Sequence, residues 1–349
     1  MKISVVIPCR NEARHIGAFL ESLSNQEAVG IELEILVADG ESDDGTGKLL
    51  ATYCEKDPRV RIISNPGRIV STGLNAAIEA ARGDIIVRMD VHAEYASDYI
   101  KTCLEVLQST GAWNVGGPAR TRASGTMGRA IAAAYGSPFS TGGAKFHDEN
   151  YEGFVDTVTY GCWRKTTLER LGMFDEALVR NQDDELNLRT IRAGGTIWQS
   201  PNIVSWYKPR SSLRALFRQY FQYGYWKVAV IRKHSVPASW RHLVPGLFVS
   251  LNIFLFAGTL AAWLLGYESA FRMLVLCLGL SLGSYFIGLL VASAHGGRKA
   301  GLKAGLMLPI VFATYHVSYG LGFLAGLARG PVQSGRVEPT EDVFSALSR

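Results

Sequence analysis

Asp90 and His92 are a carboxylate and an imidazole that could bind one cation together. They stand in the segment Arg88-Met89-Asp90-Val91-His92, directly after an apolar run. In an extended segment, residues i and i+2 point the same way, so both side chains can reach the same ion. A D-x-H triplet also occurs by chance in many proteins. Its position at the end of a predicted strand favours a metal site.

A second group of acids lies in the segment Arg180-Asn181-Gln182-Asp183-Asp184-Glu185-Leu186, which begins a predicted helix. Carboxylates in a first helical turn suit the helix dipole, so a purely structural role is one interpretation. Adjacent acids nevertheless repel one another. A nearby metal ion and a hydroxyl proton to be removed would explain them, so the segment also predicts a general base.

Two turn-rich segments follow the first two predicted strands. The first is Pro8-Cys9-Arg10-Asn11-Glu12, and the second runs from Asp39 to Thr46 with the sequence DGESDDGT. Freed backbone N–H groups at such strand-to-helix turns can hold a phosphate or the edge of a base. Plain loop structure, with Asp44 or Thr46 capping a helix, is the alternative.

The elements that must position these residues alternate between strand and helix. Apolar, β-branched runs at residues 3–8, 33–39, 60–64 and 84–90 are separated by stretches with apolar residues three and four apart. This pattern predicts an α/β fold with a mostly parallel sheet that is covered on both faces. Ligands bind such sheets beyond the carboxyl ends of the strands, and the polar segments follow strands as this requires.

Three long apolar segments occupy the C-terminal part of the 349-residue chain. Residues 243–266, 273–294 and 304–328 contain no Asp, Glu, Lys or Arg. Each exceeds the roughly 20 residues that cross a bilayer, whereas buried core helices usually end after about 10–14 apolar residues. We therefore predict three transmembrane helices. His316, the one histidine inside them, indicates either a functional site or a hydrogen-bonded structural histidine.

Basic residues predict the orientation of these spans. Lys and Arg precede the first span and fill the loop between the second and third, which places the first 240 residues in the cytoplasm. The tail at residues 329–349 would lie on the opposite side, or inside if one span is re-entrant. The net charge of +5 lies largely beside the spans, where it would meet anionic membrane lipids, and nucleic-acid binding is disfavoured.

Residues 211–242 connect the soluble region to the first span. Leu213, Leu216, Phe217, Tyr220 and Phe221 form an apolar stripe at helical spacing. The stripe predicts an amphipathic helix that lies in the membrane surface or packs against the soluble domain.

Five segments in this order, IPCRNE, DGESDDGT, RMDVHA, GCWR and NQDDELNLR, resemble the inverting family 2 glycosyltransferases of GT-A fold. The resemblance covers about residues 1–235. Within the family, the D-x-H form followed by Ala and the three spans are most similar to the succinoglycan-type exopolysaccharide β-glucosyltransferases. The resemblance implies a cytoplasmic GT-A domain over residues 1–210, anchored in the plasma membrane.

The resemblance also implies roles for single residues. Asp183 would be the general base, and Asp184 is a rival because Gln182 replaces the family's glutamate before the base. Asp90 and His92 would hold Mg²⁺ or Mn²⁺, and the imidazole favours Mn²⁺. The remaining residues would line two pockets: Pro8, Arg10, Asn11, Glu12, Asp39 and Asp90 the donor nucleotide, and Trp163, Arg164, Gln222 and Trp226 the sugar and acceptor.

The implied reaction moves a hexose, taken as glucose, from a nucleoside-diphosphate sugar, taken as UDP-linked, to a polyprenyl-diphosphate-linked saccharide. Alternatives are a transferase acting on polyprenyl phosphate itself, a processive polysaccharide synthase, and a membrane scaffold that only binds nucleotide sugar. The missing arginine in Gln222-Tyr223-Gly224-Tyr225-Trp226 departs from the Q-x-x-R-W signature of processive synthases.

Overall fold

The four apolar runs near the N-terminus form adjacent parallel strands in the computed structural model, which describes residues 1–27 and 30–329. They are β1 Lys2–Cys9, β2 Glu32–Asp39, β3 Val60–Ser64 and β4 Ile85–Arg88. β1 pairs in parallel with β2 and with β4, and β2 pairs with β3. β1 and β2 are buried almost throughout, as expected for strands covered on both faces. The predicted parallel sheet is confirmed.

Four later strands complete this sheet in the order β3-β2-β1-β4-β9-β6-β10-β8. They are β6 Asn114–Gly117, β8 Gly153–Phe154, β9 Thr159–Arg164 and β10 Ile197–Gln199. β9 runs antiparallel to both of its neighbours, β4 and β6. A separate three-stranded sheet contains β5 Ala93–Tyr95, β7 Arg120–Thr121 and β11 Ser205–Tyr207.

Helices cover both faces of the main sheet: α1 Ile16–Ser24, α2 Thr46–Lys56, α3 Val70–Ala80, α4 Tyr99–Thr110, α7 Lys165–Leu171 and α8 Gln182–Arg192. The i, i+3, i+4, i+7 stripe of α1 is fully inside, at Ile16, Phe19, Leu20 and Leu23. Each such side chain contributes about 1.5–3 kcal/mol on burial. The strand order reverses between β1 and β4, so their carboxyl ends border the crevice where ligands bind in sheets of this kind.

The chain divides into two units. The first comprises Met1–Arg122 and Ala144–Lys208, and the second comprises Ala123–Gly143 and the described residues from Pro209 onward. The helices of the second unit are α5 Gly125–Tyr135, α6 Pro138–Thr141, α9 Leu213–His234, α10 Val244–Leu264, α11 Glu268–Ala300, α12 Leu302–Gly305 and α13 Leu308–Ala328. Two 3₁₀ turns, Lys145–His147 and Trp240–His242, complete the elements.

The second unit contains three stretches long and apolar enough to cross a membrane: Trp240–Leu264, Glu268–Ala300 and Leu302–Ala328. The predicted spans at 243–266, 273–294 and 304–328 coincide with them, although the second helix extends beyond its predicted span at both ends. Of the tail predicted at 329–349, all but Arg329 lies outside the described residues.

The segment predicted as an interfacial helix forms α9, which packs closely along α13. At Gly322 a Cβ atom would lie 1.9 Å from the Phe221 carbonyl oxygen, and at Gly224 it would lie 2.1 Å from that of Tyr319. Only glycine permits this approach, which is typical of membrane helix pairs. Part of the apolar stripe of α9 therefore packs against a C-terminal helix, as Leu216 does in a cluster with Phe312. The sequence pattern predicts packing against the membrane surface or the soluble domain instead.

Residues 123–143 interrupt the predicted 1–210 domain and pack with the C-terminal helices. Ile131 and Ala134 of α5 are buried in one apolar cluster with Val311 and Phe312 of α13. His316 Nε2 lies 2.9 Å from the Phe139 carbonyl oxygen, and its Nδ1 lies 2.9 Å from the Tyr285 hydroxyl. Nε2 must donate to the carbonyl, so Nδ1 accepts from the tyrosine. His316 is thus a hydrogen-bonded structural histidine.

Candidate active site

Arg88 joins the two acids that the sequence analysis assigned to chemistry. At the end of β4 its guanidinium donates to Asp90 through Nε (2.9 Å) and Nη2 (3.0 Å), and through Nη1 to Asp183. The Arg88 side chain is 5% exposed, whereas those of Asp90 and Asp183 are 32% and 42% exposed. One buried cation therefore fixes two carboxylates that remain open to solvent.

Asp183 lies in the first turn of α8, in surroundings that shift its pKa upward. Burial raises the pKa of Asp183 above its ordinary value, and the charges of Asp90 and Asp184 add to the rise, while Arg88 opposes it. A carboxylate with a raised pKa is a stronger base than an ordinary aspartate.

The third acid of this turn has a structural role. Glu185 is completely buried and accepts from Arg189 one turn later, at 2.6–2.9 Å. Arg189 in turn donates to the backbone carbonyls of Leu171 and Met173. Because Glu185 anchors α8, the acids with exposed surface in this turn are Asp183 and Asp184.

Two tyrosines that the sequence analysis missed lie beneath Asp90. The Asp90 N–H donates to the Tyr95 hydroxyl oxygen at 2.7 Å, and the rings of Tyr95 and Tyr160 are 5.5 Å apart. Burial raises the pKa of both hydroxyls, and the charge of Asp90 adds to the rise. Both side chains therefore stay neutral. No motif marks either residue, and the position of Tyr160 depends on the pairing of β9 with β4.

The loops after β1 and β2 are tied together by hydrogen bonds. The Asn11 N–H donates to the Ser42 hydroxyl at 2.7 Å, and the Asp43 N–H donates to the Asn11 side-chain oxygen at 2.9 Å. The Ser42 hydroxyl donates to Asp39 at 2.5 Å. Pro8 lies opposite Ala38 in the adjoining strands. The structure therefore brings these predicted donor residues together at one edge of the sheet.

Arg10 lies in the first of these loops. Its Nε is buried and has no hydrogen-bond partner in the part of the chain that the structure describes. A buried guanidinium N–H without a partner is costly unless a ligand accepts from it. Arg10 is therefore suited to hold an anionic group.

The backbone around this edge adopts a conformation that side chains disfavour. Left-handed φ angles of 53–63° occur at Asn11, Glu41, Arg68, Tyr160 and Asn181. Tyr160 is the least tolerant of them, because a bulky residue rarely adopts a positive φ. Such residues cost about 1–3 kcal/mol each and cluster at active sites and ligand clamps.

His92 and Glu12 face each other across the ends of β4 and β1. His92 Nε2 lies 2.8 Å from Glu12 Oε1, and the two side chains are 49% and 9% exposed. The structure thus places the imidazole against the loop after β1, while the Asp90 carboxylate is held by Arg88. Both residues of the predicted metal pair remain at the same edge of the sheet.

Two residues of the predicted acceptor pocket lie elsewhere. Trp163 is 2% exposed in a core cluster, with its ring edge-on to Phe174. Arg164 pairs with Ile85 at the beginning of β4, opposite the end that carries Arg88. The reason is that β9 is antiparallel to β4, so the start of β9, at Tyr160, meets the acids. The assignment of Trp163 and Arg164 to the sugar pocket stays a prediction, which neither the burial of Trp163 nor the position of Arg164 supports.

The other two predicted acceptor residues, Gln222 and Trp226, are on α9 in the second unit, where they are 1% and 3% exposed. The structure does not place them in the unit that contains Asp90 and Asp183, and their role in acceptor binding stays a prediction.

Comparison with known proteins agrees with this fold and its motifs. Residues 4–167 match the sequence model "Glycosyl transferase family 2". The succinoglycan biosynthesis protein ExoA of Rhizobium meliloti is 33% identical over 243 residues, which are 69% of this chain and 73% of that protein. A second relative, from Methanococcus voltae, is 29% identical over 337 residues, which are 94% of this chain and 98% of that protein. Its name is dolichyl N-acetyl-alpha-D-glucosaminyl phosphate 3-beta-D-2,3-diacetamido-2,3-dideoxy-beta-D-glucuronosyltransferase.

Among solved structures, the mannosyltransferase PcManGT from Pyrobaculum calidifontis, in complex with GDP-Man and Mn²⁺, matches with a TM-score of 0.56. The match covers 92% of this chain and 86% of that chain at 19% identity, which shows a shared fold. With its GT-A-like α/β unit, three apolar C-terminal helices and these relatives, the chain belongs to glycosyl transferase family 2.

Proposed function

We propose that this glycosyltransferase moves a glucose-type hexose from a UDP-sugar to a polyprenyl-diphosphate-linked saccharide, with inversion at the anomeric carbon. The observation that carries the proposal is the contact of Arg88 with both Asp90 and Asp183 at the carboxyl end of β4. A donor-side acid and an acceptor-side base are thereby held beside one crevice, as a single in-line displacement requires.

Asp183 acts as the general base in this proposal. It takes the proton of the acceptor hydroxyl while that oxygen attacks the anomeric carbon and the bond to the nucleoside diphosphate breaks. Its raised pKa and its partly exposed carboxylate suit this role. Base assistance of this kind is worth about 10²–10⁴ in rate.

Donor binding is proposed for the joined loops after β1 and β2. Asp39 at the end of β2 would read the uracil edge, and Arg10, with its unpaired buried Nε, would contact the diphosphate. A divalent ion, Mg²⁺ or Mn²⁺, would lie beside Asp90 with the imidazole of His92 as a nitrogen ligand, a donor that favours Mn²⁺. When bound, the ion would neutralise negative charge on the leaving diphosphate.

The acceptor class is supported by the relatives. The Methanococcus voltae protein, which covers nearly the whole chain, is named for transfer onto a lipid-linked sugar, and ExoA is named for succinoglycan biosynthesis. The apolar helices of the second unit would anchor the enzyme in the plasma membrane, where such acceptors reside. The basic residues around these helices favour a cytoplasmic location of the catalytic unit.

The test is a product analysis with the full-length protein in detergent or native membranes. Labelled UDP- and GDP-hexoses are supplied with either polyprenyl phosphate or a polyprenyl-diphosphate-linked saccharide, with and without EDTA. The proposal expects one added sugar on the lipid-linked saccharide, with EDTA sensitivity. A glycosylated polyprenyl phosphate alone, or a polymer, would contradict it.

A further inference from the structure

Three metal-binding side chains meet where the ends of β1 and β4 lie side by side. Glu12 and His15 belong to the turn between β1 and α1, and His92 belongs to the turn after β4. Because β1 and β4 are adjacent and parallel, with Val6 paired to Arg88, the two turns leave the sheet at the same edge. The family resemblance implies a place for Glu12 at the nucleotide and no role for His15.

The backbone holds these turns in place without any ligand. The N–H groups of His15 and Ile16 both donate to the Glu12 carbonyl oxygen at 2.9 Å, and the Glu12 N–H donates to the Thr46 hydroxyl at 2.7 Å. On the other side, the Ala93 N–H closes a turn onto the Asp90 carbonyl oxygen at 3.1 Å. The three side chains therefore project from backbone that is already ordered.

Their ligand atoms are close enough to share one ion. His92 Nε2 and Glu12 Oε1 are 2.8 Å apart, and the centroids of the His15 and His92 rings are 5.0 Å apart. One ligand atom from each residue lies within 4.8 Å of the others. Ligands about 2.1 Å from an ion lie about 3 Å apart at right angles, a separation close to that of His92 Nε2 and Glu12 Oε1.

We infer that Glu12, His15 and His92 together bind one divalent transition-metal ion. Two imidazole nitrogens and one carboxylate oxygen favour Mn²⁺, Co²⁺ or Zn²⁺ over Mg²⁺ and Ca²⁺, which prefer oxygen. The buried Glu12 carboxylate forms the inner wall and both imidazoles are exposed, so the ion keeps open positions toward solvent.

This set differs from the Asp90 and His92 pair expected from the sequence. Both carboxylate oxygens of Asp90 accept from Arg88, at 2.9 and 3.0 Å, whereas His92 is directed at Glu12. The use of the ion in sugar transfer rests on the proposed function, with open positions available to diphosphate oxygens. Binding of the ion itself does not depend on that function.

The experiment titrates Co²⁺ into full-length, tag-free protein in detergent without any donor, and follows the visible absorption of the bound ion and the heat of binding. The wild type is expected to bind one Co²⁺ with nitrogen ligation. His15→Gln and Glu12→Gln are expected to weaken binding at least about tenfold, because loss of even an outer partner of a ligand costs 10–100-fold. His295→Ala, an exposed histidine of α11, is the matched control and should bind as the wild type does.

Thermal unfolding without metal establishes that the variants are folded. The inference would be overturned if His15→Gln bound Co²⁺ as tightly as the wild type while Asp90→Asn lost Co²⁺ binding. Sugar transfer is assayed on the same samples. Binding through His15 without transfer from any donor would refute the proposed function and leave the metal site standing. Sugar transfer by a wild type that does not bind Co²⁺ would refute the metal site and leave the proposed function standing.

Discussion

The carboxylate of Asp183 accepts a hydrogen bond from the guanidinium of Arg88, a residue 95 positions earlier in the chain. The same guanidinium binds Asp90 along its other edge. Arg88 is therefore a positioning residue for two acids from different elements, one at the end of a strand and one at the start of a helix. Planar guanidinium geometry allows this double contact, whereas an ammonium is a single point of charge.

Replacement of Arg88 by lysine should lower the transfer rate by about 10²-fold, because misplacement of a reacting group by 1 Å costs about that much. Lysine keeps the charge but cannot hold both carboxylates. Single-turnover rates measure the effect, and thermal unfolding confirms that the variant is folded. A wild-type rate in Arg88→Lys would show that charge alone suffices.

Asp183→Asn should reduce transfer by about 10²–10⁴ while leaving affinity for the nucleotide sugar unchanged, since the base acts on the acceptor. Calorimetric donor binding and product formation are measured on the same preparation. Asp184→Asn is the matched control from the same helical turn, and it should retain most activity. Loss of activity in Asp184→Asn but not in Asp183→Asn would reverse the assignment.

The pH dependence of transfer should report the raised pKa of Asp183. The base must be deprotonated, so the rate should fall as pH decreases through a pKa above the ordinary aspartate value. The negative charge of Asp184 contributes to that rise, so Asp184→Asn should lower the pKa of Asp183 and move the acidic limb to lower pH. Rate profiles of wild type and Asp184→Asn test the shift, and an upward or absent shift would contradict it.

Gly322→Ala should destabilise the second unit by about 1–3 kcal/mol, the usual cost of overpacking. The added methyl would lie 1.9 Å from the Phe221 carbonyl oxygen and force α9 away from α13. Gly283→Ala on α11 is the control, because nothing lies within 4 Å of its added methyl. Melting temperatures in detergent compare the two, and equal values would show that the helices can move apart at little cost.

β1, β2 and β4 could be predicted because strands that are buried on both faces have continuous apolar runs, as in Ile35 to Ala38. The carboxyl-end location of Asp39, Asp90 and the loops followed from the parallel arrangement. The contact of Asp183 with Arg88 brings the predicted base to the end of β4 that carries Asp90, and its role as a base stays a prediction. These features depend on local pattern and on general rules for parallel sheets.

Other features depend on strand pairings between distant segments. The sequence of β9 does not reveal that it runs antiparallel to β4, so the position of Tyr160 near Asp90 could not be predicted. The approach of His92 to Glu12 likewise requires β1 and β4 to be neighbours. Local periodicity carries no information about such pairings.

Residues 123–143 belong to the second unit but lie in the sequence between two parts of the first. This excursion of the chain means that a single truncation cannot separate the two units. Shortening the protein to residues 1–210 would remove Val311 and Phe312 and leave Ile131 and Ala134 without the apolar surface that covers them. Exposed patches of this kind promote aggregation. A water-soluble form of the sheet-containing unit therefore has to lose this excursion as well, with a short linker from Arg122 to Ala144.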